Sequence, residues 1–192
     1  GPGLRFGPFD VVQHVKRVQW NHATGRIEGM TALGGDYSEA ADPPVLHQFR
    51  DRGLIPSIGA FELGDVKWAV LAARSGLLPT PLCLKLFLND SWVRGPFADI
   101  AGLEAFVSTV PDDVPAEITI VPYEMASAER CWELLDAALE RGFHIRVGIG
   151  DNPSAFPDAT NAELVEQAVA LAAKHGLTPA TPDQVLDAFT EP

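Results

Sequence analysis

Short apolar runs alternate with amphipathic stretches along most of the chain. Five runs rich in Val, Ile, Leu and Phe stand out: Ile27 to Leu33, Leu54 to Phe61, Leu82 to Leu88, Glu117 to Tyr123 and Phe143 to Ile149. They do not alternate strictly, which predicts parallel strands covered on both faces. Between them the spacing turns helical. Asp42-Pro43-Pro44 opens one helix, with Asp42 as N-cap and proline in the first turn, and Gly53 closes it. Val66, Ala69, Val70 and Ala73 form the buried stripe of the next, which Gly76 ends. Cys131, Leu134, Leu135, Ala138 and Leu139 repeat at helical spacing before Arg141-Gly142. Thr160-Asn161-Ala162-Glu163 is a capping box ahead of Leu164 to Lys174, with Gly176 just past the end. Thr181-Pro182-Asp183-Gln184 repeats the device for a short last helix.

Five β-α units of roughly 25 to 35 residues predict an α/β fold with a parallel sheet and right-handed crossovers. Two architectures fit: an open doubly wound sheet, or part of a TIM (β/α)8 barrel. A whole barrel takes about 250 residues. The expectation is therefore an incomplete, barrel-like domain over residues 27–192. Residues 1–26 precede it as an N-terminal segment in which Val11 to Val18 allows two helical turns and no strand is read. Five parallel strands alone leave an edge on each side. Partner strands are expected, from a homo-oligomer or a complementing barrel half.

Composition narrows the partners. Hydrophobic residues make up 46% of the chain and charged residues 21%, as in ordinary soluble domains. The net charge of −12 argues against nucleic acid and anionic membranes, which require a basic surface. No stretch approaches the roughly 20 apolar residues of a membrane span, and a cytoplasmic location is expected. The two cysteines, Cys83 and Cys131, sit in apolar runs and read as small core residues.

In either architecture ligands bind at the C-terminal ends of the strands. Asp36 and Tyr37, Glu62, Asn89 and Asp90, Tyr123 and Glu124, and Asp151 and Asn152 all fall there, so an acid follows each of the five runs. Singly, such acids read as charges at helix N-termini. Together they make a negative mouth suited to a divalent cation or a cationic substrate. Glu62, Asn89, Asp90, Tyr123, Glu124 and Asn152 are the candidate substrate-binding residues. No H-x-H, H-E-x-x-H or C-x-x-C metal motif occurs, which leaves His22, in "WNHATG", as the candidate metal ligand. Arg146 and Asp151 form the sharper pair. Arg146 shares its strand face with Gly148 and Gly150, and an arginine there needs a carboxylate or a bound anion. A structural ion pair and a substrate-binding or catalytic role both satisfy that need.

The stretch "FHIRVGIGDNPSAFPDATNAELVEQAVALAAKHGLTPATPDQV" resembles the closing segment of the beta-keto acid cleavage enzymes. "PSIGAFELGDVKWAVLAARSGLLPTPLCLKLFL" is similar to their fifth and sixth strand regions, and the likeness runs over about residues 27–190. The resemblance implies a (β/α)8 barrel, usually oligomeric. It also implies cleavage of a β-keto acid with acetyl-CoA as co-substrate, giving acetoacetate and a new CoA ester. The family's zinc is held by two histidines of an early H-x-H and by the glutamate of an R-V-G-x-E-D-N motif. On this chain that motif falls on Arg146 to Asn152, which makes Asp151 the expected catalytic base and Arg146 its support. Gly150 stands where the family keeps its zinc glutamate, and the H-x-H is absent. The resemblance therefore implies an altered lyase or acyltransferase acting on a small carboxylate or keto acid. The alternative is a non-catalytic barrel serving binding or assembly.

Overall fold

A computed structural model describes residues 5–11, 18–29, 41–92 and 95–190. Its strands are β1 (Phe6–Asp10), β2 (Val18–Asn21), β3 (Arg26–Gly29), β4 (Ile55–Ala60), β5 (Leu82–Asn89), β6 (Ala116–Tyr123) and β7 (His144–Ile145). Its helices are α1 (Pro44–Asp51), α2 (Leu63–Arg74), α3 (Ile100–Val107), α4 (Ala128–Glu140), α5 (Asn161–Lys174) and α6 (Pro182–Thr190). Five strands form one parallel sheet in the order β1-β4-β5-β6-β7. Each strand lies beside its predecessor in that sheet, with no reversal of direction across it. A doubly wound sheet has such a reversal, at a switch point; a (β/α)8 barrel does not. The order is therefore that of part of a barrel.

Side-chain alternation divides the sheet into two faces. Leu82, Leu84, Leu86 and Leu88 of β5 are buried with Ile58 and Ala60 of β4 and Ile120 of β6. Against them pack Val66, Ala69 and Val70 of α2, Leu103 and Phe106 of α3, and Cys131, Leu134, Leu135 and Ala138 of α4. This is the core. The opposite, inner face is polar and only half-buried at Ser57, Cys83, Lys85, Glu117 and Thr119. Where the composition predicts strands covered on both faces, helices cover the outer face and the inner one is left half-buried at these positions.

The helix signals act largely as the sequence predicts. Thr160 and Glu163 cap α5 reciprocally, and Thr181 and Gln184 do the same ahead of α6. Gly53, Gly76 and Gly176 take the left-handed conformation just past α1, α2 and α5. Asp42 is not the N-cap of α1. Pro43 holds that position, and Asp42 pairs with His47 at 2.7 Å. An additional helix, α3, starts at Asp99, whose carboxylate accepts the Gly102 N–H at 2.8 Å.

Two strands differ from expectation. Ile27 belongs to an antiparallel pair, β2 with β3, and not to the parallel sheet; residues 30–33 of that run lie outside the described residues. The first strand of the sheet is β1, "FGPFD", in a segment where no strand is read from sequence. Gly7 and Pro8 conceal it, because both discourage a strand assignment. Pro8 is tolerated because β1 is an edge of the sheet among the described residues, and Gly7 because the Phe49 ring of α1 packs where a Cβ would stand, 2.7 Å away. Of Val11 to Val18, residues 12–17 lie outside the described residues and Val18 begins β2. The last strand is shorter than predicted. Its ladder covers His144–Ile145 and adds one bond, from the Arg146 N–H to the Ile120 carbonyl at 3.1 Å. Gly148 to Gly150 then turn the chain out of the sheet. Among the described residues no helix is long and apolar enough to cross a membrane.

Candidate functional site

Arg146 leaves β7 and its guanidinium donates to Asp151 Oδ1 at 2.7 Å. The two side chains are unequally buried: Asp151 is 9% exposed and Arg146 43%. Asp151 is fixed by its own backbone. Its N–H donates to the Gly148 carbonyl at 3.2 Å, and its carbonyl accepts the Glu124 N–H at 2.8 Å. Behind it lies Cys131, whose thiol is pushed up to about 12 by burial, with the Asp151 charge adding to the effect. The predicted pair is real, and it sits where the inner face meets the C-terminal strand ends.

The other candidate residues divide by what already occupies them. Asn152 is buried; its amide donates to the Pro122 carbonyl at 2.8 Å and its Oδ1 accepts the Met125 N–H at 3.0 Å. It latches the β6–α4 loop to the end of β7. Asp90 accepts the Ala126 N–H and an Arg130 N–H, both at 2.9 Å. Glu62 is the N-cap of α2, where the Asp65 carboxylate returns a bond to the Glu62 N–H at 3.0 Å. Glu124 takes a positive φ of 51°, and its carbonyl accepts from the Ser91 hydroxyl at 3.0 Å. Asp36 and Tyr37 lie outside the described residues.

Asn89 and Tyr123 border an aromatic cluster. Phe61 stacks on Phe87 at 4.2 Å and on Trp92 at 5.3 Å, and Tyr123 meets all three edge-on. Asn89 is buried; its Oδ1 accepts the Trp92 N–H at 2.7 Å, while its Nδ2 has no partner among the described residues.

Lys85 is an inner-face charge that the sequence analysis does not single out. The β ladders place Asp10, Gly59, Lys85 and Thr119 in one row across four strands. Gly59 leaves room for the Asp10 carboxylate to lie over the sheet, where a Cβ would collide with it. Burial lowers the Lys85 pKa and the neighbouring Arg146 charge lowers it further, against the pull of Asp10, Cys83 and Asp151. The signal was present in "LCLKLFLN". If the leucines face the helices, the alternate positions, Cys83, Lys85, Phe87 and Asn89, all face inward.

His22 is exposed in the turn between β2 and β3. His144 pairs with Glu117 at 2.8 Å, and His175 with Asp136 at 2.8 Å. Gly150 is exposed, with open space where a side chain would project. Among the described residues no group of three His, Cys, Asp or Glu side chains is placed to hold a metal ion. The described residues therefore do not fit the zinc set that the resemblance implies, and no chemical step is derived through that metal.

A parallel sheet wound in one direction defines a β/α-barrel-type protein, a fold in which ligands bind at the C-terminal strand ends, where the paired charges lie. A profile of the beta-keto acid cleavage enzymes matches residues 36–189, and the chain belongs to that family. It is 29% identical over 185 residues to the 3-dehydrocarnitine:acetyl-CoA trimethylamine transferase of Rhizobium meliloti (strain 1021), covering 93% of this chain and 59% of that protein. It is 27% identical over 140 residues to the 3-keto-5-aminohexanoate cleavage enzyme of Acetoanaerobium sticklandii, covering 69% of this chain and 46% of that protein. The chain thus spans less than two thirds of the length of these relatives.

Proposed function

We propose that the chain carries the base-bearing part of a site that cleaves a β-keto acid with acetyl-CoA, giving acetoacetate and a CoA ester. The observation that supports this most is the Arg146–Asp151 bond at the strand ends, with Asp151 buried and its backbone fixed on both sides. The proton between a carboxylate and a ketone is the most acidic C–H of a β-keto acid, and a positioned carboxylate takes it where nearby donors stabilise the enolate. Asp151 Oδ1 is engaged by Arg146, which leaves Oδ2 to take that proton. The remaining Arg146 N–H groups are donors for the anion that forms. Strands β1 and β7 are the edges of the sheet among the described residues, and the proposal includes partner strands there, from a second copy or a complementing half.

Acetoacetate release from a panel of β-keto acids with acetyl-CoA tests the reading. Asp151→Asn should lower kcat by about 10² to 10⁴-fold. Unchanged turnover in that variant removes Asp151 from the role. One observation favours a second reading, a binding or assembly barrel: the bare Gly150 in the motif. An absence of turnover across the panel, with a ligand still bound, would decide for it.

A further inference from the structure

Lys85 and Arg146 reach the inner face from strands on either side of β6. Lys85 pairs with Thr119, Thr119 pairs with His144, and Arg146 follows two residues later. Both cations approach one ring: Lys85 Nζ lies 5.9 Å and Arg146 Cζ 5.8 Å from the Phe87 centroid. Phe87 is itself buried and stacked on Phe61. Arg146 is matched by Asp151 through one N–H. Among the described residues Lys85 has no ion-pair or hydrogen-bond partner, and the charges acting on it are those of Arg146, Asp10 and Asp151. A half-buried ammonium beside a second cation, with no paired anion among the described residues, is a costly arrangement.

We infer that Lys85 and Arg146 form a two-cation seat for the carboxylate of the substrate, with Lys85 as a substrate-anchoring residue. An anion entering between them removes their mutual repulsion and gives the ammonium its missing partner. The seat also sets direction. Because Arg146 touches Asp151, a carboxylate held by Arg146 brings its neighbouring CH₂ group towards Asp151, while the ketone end extends along the aromatic cluster. The lowered Lys85 pKa fits this arrangement, since burial and Arg146 outweigh the carboxylates until an anion arrives. This inference rests on the β-keto acid reading and deepens it: the ligand class is a small carboxylate recognised by charge.

Calorimetric titration of the full chain with acetoacetate, and with its uncharged methyl ester, reads the seat directly. Lys85→Gln should weaken acetoacetate binding about tenfold, the worth of one charge-assisted bond. The ester should bind both proteins alike, and Lys85→Arg should restore most of the acetoacetate affinity. The chain has four lysines, Lys16, Lys67, Lys85 and Lys174. After ¹³C-methylation, the signal missing from Lys85→Gln is that of Lys85. Acetoacetate should move it and raise its titration midpoint, leaving the signal of exposed Lys67 in place. Acetoacetate affinity unchanged in Lys85→Gln, equal losses for acid and ester, or no acetoacetate binding by the wild-type chain would each overturn the seat. Charge-dependent binding without turnover keeps the seat and removes the cleavage reading. Turnover with an unchanged KM in Lys85→Gln does the reverse.

Discussion

A half-buried lysine on the inner face of a sheet costs stability, and pH exposes that cost. A folded-state pKa below the ordinary lysine value of about 10.4 means that the folded chain holds this proton less tightly than the unfolded chain. The penalty is in full force below the lowered pKa and is relieved as pH rises towards the ordinary one. Lys85→Met should therefore melt higher than wild type at pH 7. After allowance for solvent screening the gain is about 2 °C. Paired thermal scans should show the gap closing above about pH 10; a variant that melts lower at neutral pH contradicts the assignment. Asn152 is the opposite case. It was a candidate substrate ligand, yet both ends of its amide are spent on backbone. Asn152→Ala leaves a buried carbonyl and a buried N–H unpaired, which should cost about 3 kcal/mol in urea melts. The difference between Lys85 and Asn152 was not legible in the sequence. Residue type and strand position indicate which side chains reach the mouth, whereas loop backbone groups that claim them become visible only in three dimensions. Arg146 and Asp151 were legible because an arginine on a strand face needs a carboxylate or a bound anion, and the structure supplies the carboxylate.

At the scale of elements, the legible parts were those where local pattern and tertiary packing agree. Strands β4, β5 and β6 and helices α2, α4 and α5 were all marked by apolar spacing and by end signals. Strand β1 was hidden because Gly7 and Pro8 serve an edge position and a close approach of Phe49, which local rules cannot see. The apolar Ile27 run misled for the complementary reason: a hairpin arm and a sheet strand share the same composition. Capping boxes were the most reliable signals, and the one at α5 makes a pH-dependent prediction. Hydrogen bonds from the Thr160 N–H and hydroxyl hold the Glu163 carboxyl below its usual range. A depressed carboxylate pKa contributes stability that is present above the ordinary value and lost as pH falls through the lowered one. Thr160→Ala should cost about 1 kcal/mol at pH 7, the usual worth of an N-cap. Its deficit relative to wild type should shrink below about pH 4, where Glu163 protonates in both proteins.

For the molecule as a whole, the open sheet edges and the distribution of apolar surface point the same way. Among the described residues β7 pairs only with β6, and only over two positions. Beside it lies a groove lined by His144, Ile145, Val165, Val169 and Leu177. Val165, Val169, Leu177 and Ile149 are large apolar side chains left exposed, the kind of surface that partner chains cover. The family relatives are longer than this chain, and their additional length is one source of cover. In a purified sample the available cover is a second copy. The net charge of −12 per chain opposes such pairing, so association should strengthen with added salt, as screening weakens the repulsion. Sedimentation velocity should then show a concentration-dependent species heavier than the 20.6 kDa chain. Val169→Lys should shift it towards the monomer without loss of helical circular dichroism. A 20.6 kDa monomer at every concentration and salt level would mean that the face stays open in solution and that no second copy supplies the partner strands.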